Sequence, residues 1–267
     1  MKNLAKVLLA AVAVIIALLA AVFLLTSNIT KTADDFFQAI SDDNFDGAYS
    51  MLSQDFQAGT TKQELEEYLR ANALTDYAKA SWQSRSVSGG RGELIGSVTT
   101  VEGGVVPVSI GLVKGSDGAW KIYSISKPSS GLLEESAGTS LPSKSEQERL
   151  VKESIHLFAV SVNEGSMATL HNSVSAIWQS QMSVEEMDAA FNSFYELDAD
   201  LTVLDQLEPI IEGPVTVNDD GILMIAGYYA TTPSRLLFEH KFIYEGMGWK
   251  LFGLSVDLRP AAPDSSE

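Results

Sequence analysis

Cysteine is absent from this 267-residue chain, and histidine is scarce. Without cysteine the protein can form no disulfide, no thiolate metal site and no acylated lipoprotein anchor, so its stability must come from packed cores. The three histidines, His156, His171 and His240, lie on separate segments without the close spacing of a zinc site. We interpret them as surface or boundary residues. The sequence therefore predicts no metal and no other cofactor.

Basic side chains are also few. Lys and Arg total 18 against 35 Asp and Glu, which gives a formal charge of -17. The excess is uneven, because residues 31–128 carry nine basic and 13 acidic residues whereas residues 146–260 carry six and 18. A surface this acidic repels phosphate backbones, so we expect no nucleic-acid partner.

Sequence motifs of catalysis are missing as well. There is no Gly-x-Ser-x-Gly elbow, and the glycine-rich residues 89–92 lack the helix that must follow a phosphate-binding loop. Residues 42–47 match the first half of a calcium loop, but Ser53 stands where a bidentate Glu is needed. We interpret this stretch as an acidic turn in which Asp46 caps the next helix. No catalytic residue is therefore assigned.

One long apolar run is present near the start of the sequence. Residues 7–25 are nineteen consecutive apolar residues, which as a helix would be about 28 Å long and would match the hydrocarbon core of a bilayer. Lys2 and Lys6 precede the run, and positive flanks stay cytoplasmic. The pattern predicts a single-pass cell membrane protein with a cytoplasmic N-terminus and an extracytoplasmic globular part, which is periplasmic in a Gram-negative cell.

A cleaved signal peptide is the competing interpretation of the same run. Signal peptides have a shorter apolar region, about 7–15 residues, followed by small residues at the cleavage site. Here the run is longer, and residues 26–31 offer no convincing cleavage site. We therefore expect a signal-anchor, and a mature protein beginning near Ala33 would contradict this expectation.

Two similar stretches end the two halves of the chain. Trp-Lys-Ile-Tyr-Ser-Ile at 120–125 and Trp-Lys-Leu-Phe-Gly-Leu at 249–254 each follow a glycine-containing turn and an apolar run. Such a pattern is typical of a β-hairpin. Its recurrence predicts a tandem repeat, that is, two related domains.

Each half begins with helical patterns and continues with strands. Two capping boxes, Thr61 with Glu64 and Ser183 with Glu186, mark the start of a helix in each half. Helices followed by an antiparallel sheet predict an α+β fold in each domain. The predicted strands are 78–87, 93–101, 105–113 and 120–126 in the first half, and 201–207, 210–217, 222–229, 236–244 and 249–256 in the second.

These patterns divide the chain into five parts. A connector rich in Ser, Gly and Pro separates the domains, and the C-terminal tail has the composition of a disordered segment. The predicted parts are 1–30, a cytoplasmic stub and transmembrane anchor; 31–128, the first domain; 129–145, the linker; 146–260, the second domain; and 261–267, the tail.

The order of elements resembles the nuclear transport factor 2-like superfamily, cone-shaped α+β domains related to cystatin-like folds. The resemblance implies helices packed on a curved antiparallel sheet, and it is nearest to exported, membrane-anchored members of unknown function. It carries over no enzyme motif, so it implies no activity. The residues that carry it are Phe36, Phe37, Asp46, Ala48, Tyr49, Leu52, Gly118, Trp120, Lys121 and Ile122 in the first copy, and Leu157, Phe158, Trp178, Gly248, Trp249, Lys250 and Leu251 in the second.

Aromatic residues are the candidates for lining a pocket inside each cone, with core filling as the alternative. A carboxylate in such a pocket would have a raised pKa and could act as a general base. Glu93, Glu212 and Glu239 lie on predicted strands and Glu102 directly follows one, and alternation alone does not say which of the four point inward. Strict alternation would place Tyr123 and Ile125 on one face of their strand and Trp120 and Ile122 on the other. The pocket-lining candidates are Tyr49, Trp82, Tyr123, Trp178, Tyr195, Tyr228 and Phe252.

The sequence supports two functional hypotheses. The first is a non-enzymatic, membrane-anchored extracytoplasmic protein that binds an unidentified protein or a small hydrophobic ligand. The alternative is an isomerase- or hydrolase-like enzyme that acts on a hydrophobic small molecule in a cone cavity. The two domains are also expected to pair through their sheets as an internal pseudo-dimer, because this would cover Trp120 and Trp249.

Overall fold

The computed structural model describes residues 26–127, 141–197, 199–218 and 220–260. The chain divides into two compact units, Met1–Ser130 and Gly131–Glu267. Each unit has helices followed by an antiparallel sheet, which confirms the predicted α+β class. The predicted anchor at 7–25 and the tail at 261–267 lie outside the described residues. Within the described ranges, no helix is long and apolar enough to cross a membrane.

The described part of the first unit, from residue 26 on, begins with four helices. One apolar stripe of α1 is buried, because Ala33, Phe36, Phe37 and Ile40 are at most 2% exposed. Helix α3 was not predicted, and the capping box of α4 is present. The bounds are 26–41 for α1, Phe45–Ser50 for α2, Gln54–Gly59 for α3 and Lys62–Ala71 for α4.

The cap predicted for α2 was assigned to the wrong residue. Asn44, not Asp46, is the N-cap, and its Oδ1 accepts a hydrogen bond from the N–H of Gly47 at 3.0 Å. Asp46 lies within the first turn of α2, where its carboxylate pairs with Lys62. The side chain of Asn44 thus satisfies the free backbone donor that the turn leaves at the helix start.

The sheet of the first unit is a simple antiparallel meander. Its strands follow the order β1-β2-β3-β4 with each neighbour hydrogen-bonded to the next. We call the buried side of this sheet the inner face. It lies against α1, because a Cβ built on Gly92 would be 3.0 Å from the side chain of Ile29. The bounds are Tyr77–Ser88 for β1, Arg91–Thr100 for β2, Val105–Lys114 for β3 and Trp120–Ser126 for β4.

In its described residues the second unit repeats this order with four α-helices and a 3-10 helix. Residues 201–207, predicted as a strand, are instead the 3-10 helix Leu201–Gln206. Asp200 begins it by accepting the N–H of Thr202, and Leu201 and Leu204 are buried three residues apart, which matches the 3-10 repeat. The α-helices are Lys144–Glu164 (α5), Ala168–His171 (α6), Ala176–Gln181 (α7) and Val184–Tyr195 (α8).

The sheet of the second unit has three long strands and two short edge pieces. The predicted strand at 210–217 is split, because Gly213 in the left-handed region and Pro214 interrupt it. The two pieces pair separately with the same neighbour, β7. The strands are Ile210–Ile211 (β5), Thr216–Val217 (β6), Leu223–Tyr229 (β7), Ser234–Glu245 (β8) and Gly248–Pro260 (β9).

A β-bulge lies at the same place in the last hairpin of each unit. In the first, Gly111 pairs with Ser124 and Leu112 with Ile122, which leaves Tyr123 as the extra residue. In the second, the corresponding shift leaves Phe252 as the extra residue. The bulge overturns the strict alternation expected for β4, because Ile122 and Ile125 pair with same-face residues and are both buried.

Backbone contacts between helices and sheet also recur. The N–H of Ser53, the cap of α3, donates to the carbonyl of Ile122 at 2.8 Å. The N–H of Ser175, the cap of α7, donates to the carbonyl of Leu251 at 2.9 Å. In both units the start of a short helix is therefore attached to the last strand just before its bulge.

Candidate functional site

At one central position the inner face of the second sheet carries a polar residue where that of the first sheet is apolar. In the first unit, strand pairing aligns Leu94, Ile110 and Ile125 across β2, β3 and β4, and all three are fully buried. The matching row in the second unit is Ile225, His240 and Leu254. His240 therefore occupies the place that isoleucine occupies in the first unit.

His240 is enclosed by apolar side chains. It is 0% exposed, and its ring centroid lies 4.9 Å from that of Phe238 and 5.9 Å from that of Phe242. Neither ring nitrogen has a hydrogen-bond partner within the described residues. Burial away from water lowers the pKa of His240 to about 3, so the ring is neutral at pH 7. The prediction that all three histidines lie at the surface or boundary is wrong for this residue.

A signal for His240 was present in the sequence. From Leu236 to Phe242, large apolar residues alternate with partly or fully exposed residues such as Glu239 and Lys241. The alternation of a half-buried strand puts His240 on the apolar side. The interior position could therefore have been inferred from period-two patterning, although the missing hydrogen-bond partners could not.

A second cluster of polar groups lies between α1 and β1. The indole N–H of Trp82 donates to Oδ1 of Asp34 at 3.0 Å, and the ring of Tyr77 stacks on Phe37 with centroids 5.8 Å apart. Burial raises the pKa of Asp34, while the hydrogen bonds from Trp82 and Tyr77 oppose that rise. This is a half-buried carboxylate with two aromatic donors, a type of group that can remove a proton.

A similar pairing occurs in the second unit. The hydroxyl of Tyr195 donates to Oδ1 of Asp188 at 2.6 Å, and the backbone N–H of Met167 donates to the same oxygen at 2.6 Å. Burial and the hydrogen bond to Asp188 raise the pKa of the Tyr195 hydroxyl. Because the carboxylate also holds the backbone at the start of α6, its role in the fold is to connect α8 to α6.

Tyr49 and His171 make equivalent structural contacts. The hydroxyl of Tyr49 donates to the carbonyl of Thr60 at 2.7 Å, immediately before the capping box of α4. Nε2 of His171 donates to the carbonyl of Met182 at 2.9 Å, immediately before the capping box of α8. A carbonyl only accepts, so Nε2 of His171 carries the proton. Both side chains fix the loop that leads into a helix.

The other four candidate pocket residues lie in different surroundings. Trp178 is 9% exposed and belongs to the core of the second unit. Tyr123 and Phe252 are the extra residues of the two bulges, and the guanidinium of Arg91 lies 5.7 Å from the ring centre of Tyr123. Tyr228 is on the face of β7 opposite the buried Tyr229. Two of the pocket-lining candidates thus form a hydrogen bond to a carboxylate, Trp82 to Asp34 and Tyr195 to Asp188. The remaining candidates lie in separate places and form no common pocket lining among the described residues.

The four strand carboxylates are not inside the cores. Glu93 alternates with buried Leu94, so it lies on the outer face of β2, where partial burial raises its pKa. Glu239 is exposed, and its Oε1 lies 3.7 Å from Nζ of Lys241. Glu102 and Glu212 are exposed residues outside the strands, and for Glu212 this contradicts the predicted strand at 210–217. Among the described residues, no group of three or more metal-ligating side chains is close enough to hold an ion.

Comparison with known proteins adds little to this geometry. No protein-family model matches the sequence, and no curated protein matches it. A cystatin-like protein from Ruminococcus gnavus is among the similar solved structures, with 12% identity over 90% of this chain and 96% of that chain, and a TM-score of 0.26. A TM-score this low does not establish a shared fold. The α+β class rests on the helices and strands of the chain itself.

Proposed function

We propose that this chain is a non-enzymatic, membrane-anchored extracytoplasmic protein that binds a small hydrophobic ligand or another protein through two tandem domains of the nuclear transport factor 2-like type. The anchor is the apolar run at 7–25. The two domains are the two compact units, which share the order of elements and the bulged last hairpin.

One observation carries the proposal: polar side chains capable of acid–base chemistry are used to hold helices, and at the same place in both units. Tyr49 and His171 each donate to the carbonyl just before a capping box. Both bonds are partly buried, and a side chain that makes such a structural hydrogen bond is costly to withdraw for catalysis. The contacts that the two units share form a common scaffold. The inner faces differ at the position of Ile110 and His240, so we expect the two units to differ in what they bind.

The location can be tested by protease accessibility. In intact cells, with the outer membrane permeabilised where one exists, added protease is expected to digest a tag placed after residue 267 and to leave a tag before Met1 intact. The physical reason is that Lys2 and Lys6 hold the N-terminal flank in the cytoplasm. Lysed cells, in which both tags are digested, provide the control. A protected C-terminal tag, or a released protein that begins near Ala33, contradicts the anchored orientation.

The alternative function, an isomerase- or hydrolase-like enzyme, is favoured by one specific observation. Asp34 is a half-buried carboxylate with a raised pKa, and it lies next to two aromatic hydrogen-bond donors. Desolvation makes a carboxylate a stronger base, which suits proton abstraction from a hydrophobic substrate. The bond from Trp82 equally serves to attach β1 to α1, and this structural use is the one the non-enzymatic proposal requires.

These two functions predict different results with 5-nitrobenzisoxazole, whose ring opening reports a desolvated general base. For a binding protein, we expect the full chain and the Asp34→Asn variant to convert this compound equally slowly at pH 7, because no substrate is positioned at Asp34. Asn keeps an acceptor for Trp82, so the fold is preserved. Asp188→Asn serves as the matched control in the second unit. A rate that is about a hundredfold higher in the unmodified protein and is lost only in Asp34→Asn would establish the enzyme instead.

A further inference from the structure

The fold does not require a histidine at position 240. Ile110 fills the equivalent position of the first unit, between Leu94 and Ile125, with a bulge at the same distance along the hairpin. In the second unit Ile225 and Leu254 provide the same apolar neighbours. An aliphatic side chain would therefore complete the row without a polar atom in the core.

The histidine that is present lowers stability as long as it stays unpaired. Its two ring nitrogens are buried and lack partners among the residues that the structure describes. A buried polar group that loses its water without gaining a protein partner costs free energy. A residue that is destabilising and not needed by the fold is better explained by a contact made when something is bound.

We propose that His240 is the polar recognition group of a binding site inside the second unit, and that its ligand is an uncharged, mainly apolar molecule with one hydroxyl group. The inference rests on the proposed binding function and adds the chemical class of the ligand. Phe238 and Phe242 would contact the apolar body, and the imidazole would pair with the hydroxyl.

The ring chemistry favours a hydroxyl over an ion. A neutral imidazole presents one donor and one acceptor nitrogen, and a hydroxyl can bond to either. An anionic ligand would require a charged ring to balance it, which full burial opposes. The domain around the site is itself acidic, with six basic and 18 acidic residues in 146–260, so it further disfavours an anion.

A metal ion is a poorer occupant of this position. Phe238 and Phe242, which contact the ring of His240, and its cross-strand partners Ile225 and Leu254 offer no ligand atoms. His240 also belongs to no metal-binding group within the part of the chain that the structure describes. A single imidazole without further protein ligands does not make a zinc site.

The low number of histidines makes the site directly observable. The full chain has three, so a protein labelled with 15N at the histidine rings and held in lipid nanodiscs gives only three sets of ring signals. The His240→Ile variant, which copies the first unit, assigns the signal of His240. His156, in an exposed pair with Asp205, and His171, bonded to Met182, serve as internal controls. The probes are phenol, toluene and benzoate, which share one ring and differ in polar group.

Phenol is expected to shift the ring nitrogen signals of His240 alone, and to bind about tenfold more tightly than toluene. Benzoate is expected to leave the signals unchanged. In His240→Ile, toluene should still bind while the preference for phenol disappears. This loss isolates the polar contact from the apolar one.

Three results would overturn the inference: unchanged His240 signals at saturating phenol, equal shifts at His156 and His171, or a preference for benzoate. Failure of the broader function is recognised separately. Turnover of 5-nitrobenzisoxazole that depends on Asp34 would contradict a non-enzymatic role, and it would leave the phenol result at His240 untouched.

Discussion

Replacing His240 with isoleucine is expected to stabilise the second unit, and to do so increasingly as the pH falls. At pH 7 the gain should be about 1–3 kcal/mol in the free energy of unfolding, since the substitution removes an unpaired buried polar group. The replacement side chain is the one found at position 110, between matching strand neighbours. Overpacking is therefore not expected to offset the gain.

The pH dependence follows from the lowered pKa of the folded state. The pKa of His240 falls from 6.5 to about 3 on folding, so below pH 6.5 the unfolded chain binds a proton that the folded chain does not. The contribution of the neutral His240 ring to stability is fully present above pH 6.5, and it is lost as the pH falls toward 3. Between pH 7 and pH 5 this single group should remove about 2 kcal/mol from the free energy of unfolding.

Urea unfolding of both proteins in mild detergent at pH 7 and pH 5 measures this effect. The acidic side chains also titrate, but they are common to the two proteins, so they cancel when the change for His240→Ile is subtracted from that of the unmodified chain. The matched control is Ile110→Val, a small apolar change at the equivalent position of the first unit. A difference between the proteins that is the same at both pH values would mean that His240 is not a neutral, buried ring.

The sequence patterns were most accurate where one face of an element is buried. Period-two alternation placed β2, β3, β7 and β8 to within two residues, and the hydroxyl-acid spacing located both capping boxes. These signals succeed because burial of one face selects the residues along the whole element. The extra residue of each bulge, Tyr123 or Phe252, leaves no such trace, because it depends on how two strands pair.

Short helices and the candidate polar clusters were harder to predict for the same physical reason. Helix α3 has one turn and a half, and it is fixed by the bond from Ser53 to Ile122, 69 positions further along the chain. The bond from Trp82 to Asp34 spans 48 positions. Such contacts depend on tertiary structure and cannot be read from local periodicity. His240 is the exception, since its own strand pattern marks it as interior.

A glycine in the strand next to the edge strand of each sheet gives the second large expected effect. A Cβ built on Gly227 would lie 2.1 Å from the carbonyl oxygen of Ile210, and one built on Gly96 would lie 2.1 Å from that of Ser81. In both units the backbone of the edge strand passes so close to the glycine that the two strands can pair only because the glycine has no side chain. Because the obstacle is backbone, it cannot rotate away as a flexible side chain would.

Gly227→Ala and Gly96→Ala are each expected to lower the free energy of unfolding by about 2–3 kcal/mol, the cost of overpacking a site that cannot relax. Gly248→Ala is the matched control in the second unit and Gly59→Ala in the first, since a Cβ at either position has nothing within 4 Å. The controls should be neutral or gain up to about 1 kcal/mol, because alanine restricts the unfolded chain. Urea unfolding measures the size of the effect, and hydrogen exchange should show lost protection only in the unit that carries the change. If Gly96 and Gly227 tolerated alanine as well as the controls do, the close approach of the edge strands to β2 and β7 would be incorrect.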